Sequence, residues 1–173
     1  MVLDVERVLR DVLPSRVADP TPPLGAPPLP MPPGSVILAA DDSFVARSQI
    51  EKVLQALGAP YIMTKTGREA WDKLQSLAND ARAEGLEVGA KVAAVLSDLE
   101  MPEMDGFTLT KTIKSDPRFS RIPVVIHSSL TGQTNEEHAL SVGAEGYVAK
   151  FAGTELQDAL RRALTRGAGG GRP

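Results

Sequence analysis

VAAVLSDLEMPEMDG, residues 92–106, joins an apolar run to an acidic loop broken by proline and closed by glycine. Val92 to Leu96 are apolar without alternation, as expected of a strand covered on both faces, and the run leads straight into Asp98. Four similar short runs occur at Val36–Ala40, Tyr61–Thr64, Val124–His127 and Gly146–Ala149. Helical stripes separate them: Ile50, Val53, Leu54 and Leu57; Ala70, Leu74, Leu77 and Ala78; Leu156, Leu160, Ala163 and Leu164. Five strands alternating with five helices imply an α/β fold, a five-stranded parallel sheet with helices on both faces and right-handed crossovers.

Punctuation supports the division. Thr66 with Glu69, Thr134 with Glu137 and Thr154 with Gln157 have capping-box spacing. Gly58 and Gly143 stand where helix C-terminal caps belong, and Asp116-Pro117 stops the helix that begins near Asp105-Gly106. The polar stretch Asn79–Lys91 is longer than an ordinary connection and is expected to be a solvated insertion extending the preceding helix.

Outward from this core the composition changes. Residues 14–34 hold most of the chain's 14 prolines and read as a linker that favours extended polyproline II, with a reach on the order of 60 Å at roughly 3.1 Å per residue. Before it, Val5, Val8, Leu9 and Val12 give residues 1–13 a short helix with one apolar stripe and no evident partner. Residues 35–166 are the domain proper, and residues 167–173 form a Gly-rich tail expected to be disordered. With 42% apolar and 24% charged residues the chain is of globular type. A net charge of −3 and a pI near 5.4 give no basic field for nucleic acid. The absence of cysteine removes disulfides, thiolate metal sites and thiol nucleophiles. No run is long enough to span a bilayer, and the first residues lack a secretory signal's apolar core, so a cytoplasmic location is expected.

In an open parallel sheet reactive groups gather at the carboxyl ends of the strands, beside the topological switch point. The first strand runs into Asp41-Asp42, the third into Asp98, the fourth into Ser128 and the fifth into Lys150. Three carboxylates in one crevice raise one another's pKa unless a cation holds them. Oxygen donors, with no cysteine and no histidine cluster, suit Mg²⁺ better than Zn²⁺. Such an ion neutralises charge as an acyl phosphate forms and orients in-line attack by a carboxylate, for which Asp98 is the candidate. Lys150 offers a point charge for a phosphoryl oxygen and Ser128 a hydroxyl.

At these residues the chain resembles the receiver domains of two-component response regulators, from Ser35 to about Arg166. The matching pieces are AADDS, SDLEMPEMDGF, Ser128 in PVVIHSS and the lysine of GYVAK. The resemblance implies a flavodoxin-like, CheY-like fold, with Asp98 as phosphorylation site and Asp42 as a direct Mg²⁺ ligand. It further implies Asp41 as ligand or water-mediated partner and the Glu100 backbone carbonyl as the remaining protein ligand. Ser128 and Lys150 match the phosphate-contacting pair, and Tyr147 matches the aromatic that swings inward on activation. HSSLTG, KFAGTEL, VARSQIEKVL and the insertion before the third strand resemble the receiver half of CheV-type coupling proteins, and VLDVERVL is similar to the tail of their CheW-like domain. Residues 1–13 would then be a remnant of that domain.

The implied function is a phosphoacceptor adaptor, not an enzyme. A CheA-type histidine kinase donates to it, and it modulates receptor–kinase coupling through the coupling domain or drains phosphoryl groups. The alternative is a stand-alone diffusible regulator that binds a motor or effector. An aspartate-nucleophile phosphohydrolase is disfavoured, because Asp98 follows the third strand and not the first. Phe151 replaces the proline common after the lysine, and Glu100 and Leu130 occupy rim positions that influence water access. His127 is expected to be a packed or hydrogen-bonded imidazole beside Ser128. His138 carries no assigned role, and Met101 and Met104 read as packing.

Overall fold

The computed structural model describes residues 28–130, 132–150 and 153–169, with side chains to Arg166. The apolar runs are strands: β1 (Val36–Ala40), β2 (Tyr61–Thr64), β3 (Val92–Asp98), β4 (Val124–Ser128) and β5 (Gly146–Ala149). They alternate with α1 (Phe44–Ala56), α2 (Gly67–Ala83), α3 (Gly106–Ser115), α4 (Gln133–Ser141) and α5 (Gly153–Gly169). All neighbouring strands pair in parallel, in the order β2-β1-β3-β4-β5. The switch point therefore falls between β1 and β3, which opens a crevice above their carboxyl ends.

Strand alternation divides the core into two layers. Ile37, Ala39, Leu96, Val125 and Val148 meet the stripes of α1 and α5, whereas Leu38, Ala40, Val95, Val124 and Ile126 meet α2, α3 and α4. Every residue of β3 is buried, as its unbroken apolar pattern requires. Trp71 closes the second layer edge-on against Phe119, with centroids 5.3 Å apart.

Several boundaries differ from the expected ones. β3 and β4 each continue to the polar residue that ends the run, Asp98 and Ser128, because the ladders still pair Asp98 with His127 and Ser128 with Ala149. Thr66 caps α2 through the Glu69 N–H at 3.0 Å. Thr134 and Thr154 cap nothing: α4 begins from Gly132, whose φ of 137° only glycine readily adopts, and α5 already includes Thr154. In the insertion α2 does run on to Ala83, but the following 3₁₀ turn puts Val88 into the core at 8% exposure.

The linker boundary moves as well. Leu29 is 7% exposed within the α1–α5 layer, and Arg161 donates to the Pro28 carbonyl at 3.2 Å. Residues 28–34, assigned to a linker unable to join a core, are thus docked on the domain, and burying Leu29 contributes about 1.5–3 kcal/mol. At the other end α5 continues to Gly169, because backbone hydrogen bonding extends the helix past its last core residue, Leu164. The expected helix at residues 1–13, most of the linker, Phe151 and residues 170–173 lie outside the described residues.

Candidate functional site

Three strand ends bring their polar residues together. Asp41 follows β1 and is 0% exposed, and Asp98 ends β3 at 2%. Lys150, next after β5, reaches between them: its Nζ lies 3.1 Å from Asp41 Oδ2 and 3.3 Å from Asp98 Oδ1. Each carboxylate is held locally too. Asp41 Oδ1 accepts from the Ser43 N–H at 2.8 Å, and Asp98 Oδ1 accepts a long bond from the Glu100 N–H at 3.4 Å. Gly106 makes the loop possible, since a Cβ there would lie 2.4 Å from the Asp98 carbonyl oxygen.

The two carboxyls behave differently. For Asp98, burial and the negative charge of Asp41 outweigh Lys150 and His127, so it sits above its ordinary value. For Asp41, burial pushes upward, but His127, the Ser43 N–H and Lys150 prevail and hold it below. Burial alone would lower Lys150, but its contacts with Asp41 and Asp98 raise it. The crevice therefore holds a carboxylate that is costly to ionise beside one that is readily ionised.

The other expected site residues have definite places. Ser128 is fully buried; its Oγ accepts from the Leu130 N–H at 2.9 Å, and no acceptor among the described residues takes its hydroxyl hydrogen. Tyr147 is partly buried, and its hydroxyl donates to the Leu130 carbonyl. Asp42 is exposed beside Asp41 and has no hydrogen bond or ion pair among the described residues. The Glu100 carbonyl likewise accepts from none of them. Asp41, Asp98 and Lys150 are thus in mutual contact, whereas Asp42 and Glu100 stand at the rim.

Two neighbours went unforeseen. His127 is buried and hydrogen-bonded, but its partner is Asp41: Nε2 lies 2.8 Å from Oδ2. The available signal was register, since His127 stands opposite Asp98 across β3 and β4. Arg47 on α1 donates to the Asp41 backbone carbonyl at 2.8 Å, a contact that no spacing rule announces. His138 stacks on Phe107 at 4.0 Å, away from the crevice. Met101 and Met104 pack against the second core layer, as expected.

The donor set fits a hard divalent ion: oxygens at a strand-end crevice, one carboxyl raised by burial and by its neighbour's negative charge, and a rim carbonyl that accepts from none of the described residues. Fold and crevice together define a doubly wound α/β module with two carboxylates bridged by a lysine at its switch point. Residues 37–161 match the model of the response regulator receiver domain, and the chain belongs to that family. It is 36% identical over 130 residues to the Helicobacter pylori chemotaxis protein CheV2, covering 75% of this chain but only 39% of CheV2. Among solved structures, Vibrio cholerae chemotaxis protein CheY4 aligns with a TM-score of 0.62 at 27% identity, covering 75% of this chain and 98% of that one. The receiver domain of the Pseudomonas aeruginosa sensor histidine kinase PA1611, solved with a magnesium ion in its active site cleft, aligns with a TM-score of 0.60 at 26% identity, covering 76% and 98%. Among the described residues no helix is long and apolar enough to cross a membrane.

Proposed function

We propose that this chain is the receiver of a chemotaxis adaptor, phosphorylated on Asp98 by a CheA-type histidine kinase with Mg²⁺. The carrying observation is the meeting of Asp41, Asp98 and Lys150 at one point, within 3.3 Å of the lysine nitrogen. Asp42, Asp98 and the Glu100 carbonyl would hold the ion, with Asp41 as a ligand or acting through water. When bound, it supplies the positive charge that the raised Asp98 lacks and polarises the phosphoryl group. An Asp98 oxygen attacks the phosphorus of the kinase phosphohistidine; a P–O bond forms, the P–N bond breaks, and the imidazole leaves with the electron pair. Lys150 then pairs with a phosphoryl oxygen and Ser128 donates its free hydroxyl hydrogen to another. Tyr147, now tied to Leu130, is the group whose movement would report the change to the surface.

This is a single acceptance with slow loss, not enzymatic turnover, and it takes place in the cytoplasm. The similarity to CheV2 supports an output through a receptor-coupling domain, with modulation of the kinase or phosphate drainage as the result. A stand-alone regulator remains the second reading, favoured by the near-complete coverage of CheY4. Incubation with a phosphorylated CheA-type kinase and Mg²⁺ should move label to the native chain and not to Asp98→Asn; equal transfer to both would discard the assignment. Titrating the chain, with and without beryllofluoride, against receptor-coupling and motor components separates the two outputs.

A further inference from the structure

His127 introduces an imidazole into this crevice, and both of its nitrogens bear on the question of what it does there. Its side chain is 4% exposed, and Nε2 lies 2.8 Å from Asp41 Oδ2. Among the described residues, buried Nδ1 has no partner, and neither has Gln49 Oε1 on α1. Both residues line one narrow void of about 20 Å³, with Ile50, Val53 and Val148 among its apolar walls and Lys150 also beside it.

The donors can be assigned by elimination. Asp41 Oδ1 accepts from the Ser43 N–H and Oδ2 lies 3.1 Å from the Lys150 ammonium, so the carboxylate is the acceptor and the hydrogen between it and His127 belongs to Nε2. In the tautomer that carries its hydrogen on Nε2, Nδ1 is an acceptor at a void shared with a second acceptor, Gln49 Oε1. Two lone pairs cannot satisfy each other, but one water with two O–H groups satisfies both, and a void of this size exceeds the roughly 10–15 Å³ that a water needs. On the Asp41 side, Oδ1 takes the Ser43 N–H and Oδ2 takes His127 and Lys150. Three of about four acceptor directions are committed, so the carboxylate is fixed before any ion arrives.

We propose that His127 is a positioning residue of the phosphoacceptor site: its Nε2–H fixes Asp41, and one buried water shared with Gln49 fixes the imidazole. This rests on the divalent-ion reading given above and deepens it. Partners that orient metal-site carboxylates typically change metal affinity about 10- to 100-fold when removed. His127→Val, which keeps an apolar-compatible strand residue, should weaken Mg²⁺ binding at least about 10-fold, measured calorimetrically at a temperature where melts show both proteins folded. His127→Gln places an N–H donor near the same carboxylate and should recover most of the loss, which mere repair of packing by valine would not. Gln49→Leu should weaken binding in the same direction and less. Equal Mg²⁺ affinity of native and His127→Val proteins, or no recovery in His127→Gln, would overturn the proposal.

A second readout needs no metal. In the metal-free native chain, ¹⁵N-labelled imidazole should show a slowly exchanging Nε2–H and an unprotonated Nδ1; a proton on Nδ1 alone would overturn the arrangement. No Mg²⁺ binding by the native chain would instead remove the divalent-ion reading, while the Nε2–H signal would still decide the hydrogen-bond arrangement.

Discussion

Replacing Asp98 by asparagine should stabilise the metal-free protein. The charged oxygens of Asp41 and Asp98 lie within 4.8 Å of each other, where two unit charges repel by roughly 3.5 kcal/mol or more at an effective dielectric near 20. Taking a carboxylate out of water costs several kcal/mol more. Against these stands Lys150, 3.3 Å from Asp98, an attraction of roughly 5 kcal/mol by the same rule. The balance opposes the charge, in agreement with the upward displacement of Asp98. Asp98→Asn keeps the shape, removes the charge and leaves Lys150 to Asp41, a net gain on the order of 1–2 kcal/mol near neutral pH. For a domain of this size that raises the melting midpoint by about 3–8 °C.

The pH dependence follows from the sign. A carboxyl raised in the folded state contributes stability that is fully present below its unfolded value, near 3.8, and that is lost as pH rises through the higher folded value. The variant's advantage should therefore be absent in acid and emerge above that window. Mg²⁺ narrows the gap: at ten times its dissociation constant it stabilises the native chain by about 1.4 kcal/mol, and the variant less. Calorimetric melts in chelator and in Mg²⁺, across pH, supply the test. A lower midpoint for Asp98→Asn in chelator, or an undiminished Mg²⁺ shift, would refute the reasoning.

Other perturbations probe different links. Lys150→Met leaves two buried carboxylates without their cation and should cost about 3–5 kcal/mol by chemical denaturation, with loss of phosphoryl acceptance. Gly106→Ala drives a methyl to 2.4 Å from the Asp98 carbonyl and should cost at least about 1–3 kcal/mol, whereas Gly89→Ala, with nothing within 4 Å, should be neutral or stabilising by about 0.4–1 kcal/mol. Leu29→Ala should lower stability by about 2–5 kcal/mol, and a chain beginning at Ser35 should melt lower than one beginning at Pro28; equal midpoints would show that the docked segment contributes nothing.

The sheet was legible because each strand is short, β-branched or apolar, and bounded by helix stripes, so period alone separates the elements. The convergence of Asp41, Asp98 and Lys150 followed from strand order and the carboxyl-end rule, without side-chain detail. What escaped depends on distances across the chain. Leu29 reads as one apolar residue in a proline-rich run, and nothing local says that α1 and α5 leave room for it. His127 reads as an anomaly in a strand, and its partner lies 86 residues away. Thr134 and Thr154 had the spacing of caps, but α4 starts at Gln133 and α5 at Gly153, so both threonines already lie inside their helices.

On the proposed function, Asp98 becomes a reversible anchor for phosphorus. The most direct measurement of this is treatment with a small acyl-phosphate donor and Mg²⁺, followed by borohydride reduction and mass-spectrometric mapping of the trapped residue. Reduction should convert Asp98 of the native chain to homoserine, and chelator or Asp98→Asn should abolish it. Trapping at another residue, or label that persists in Asp98→Asn, would contradict the account.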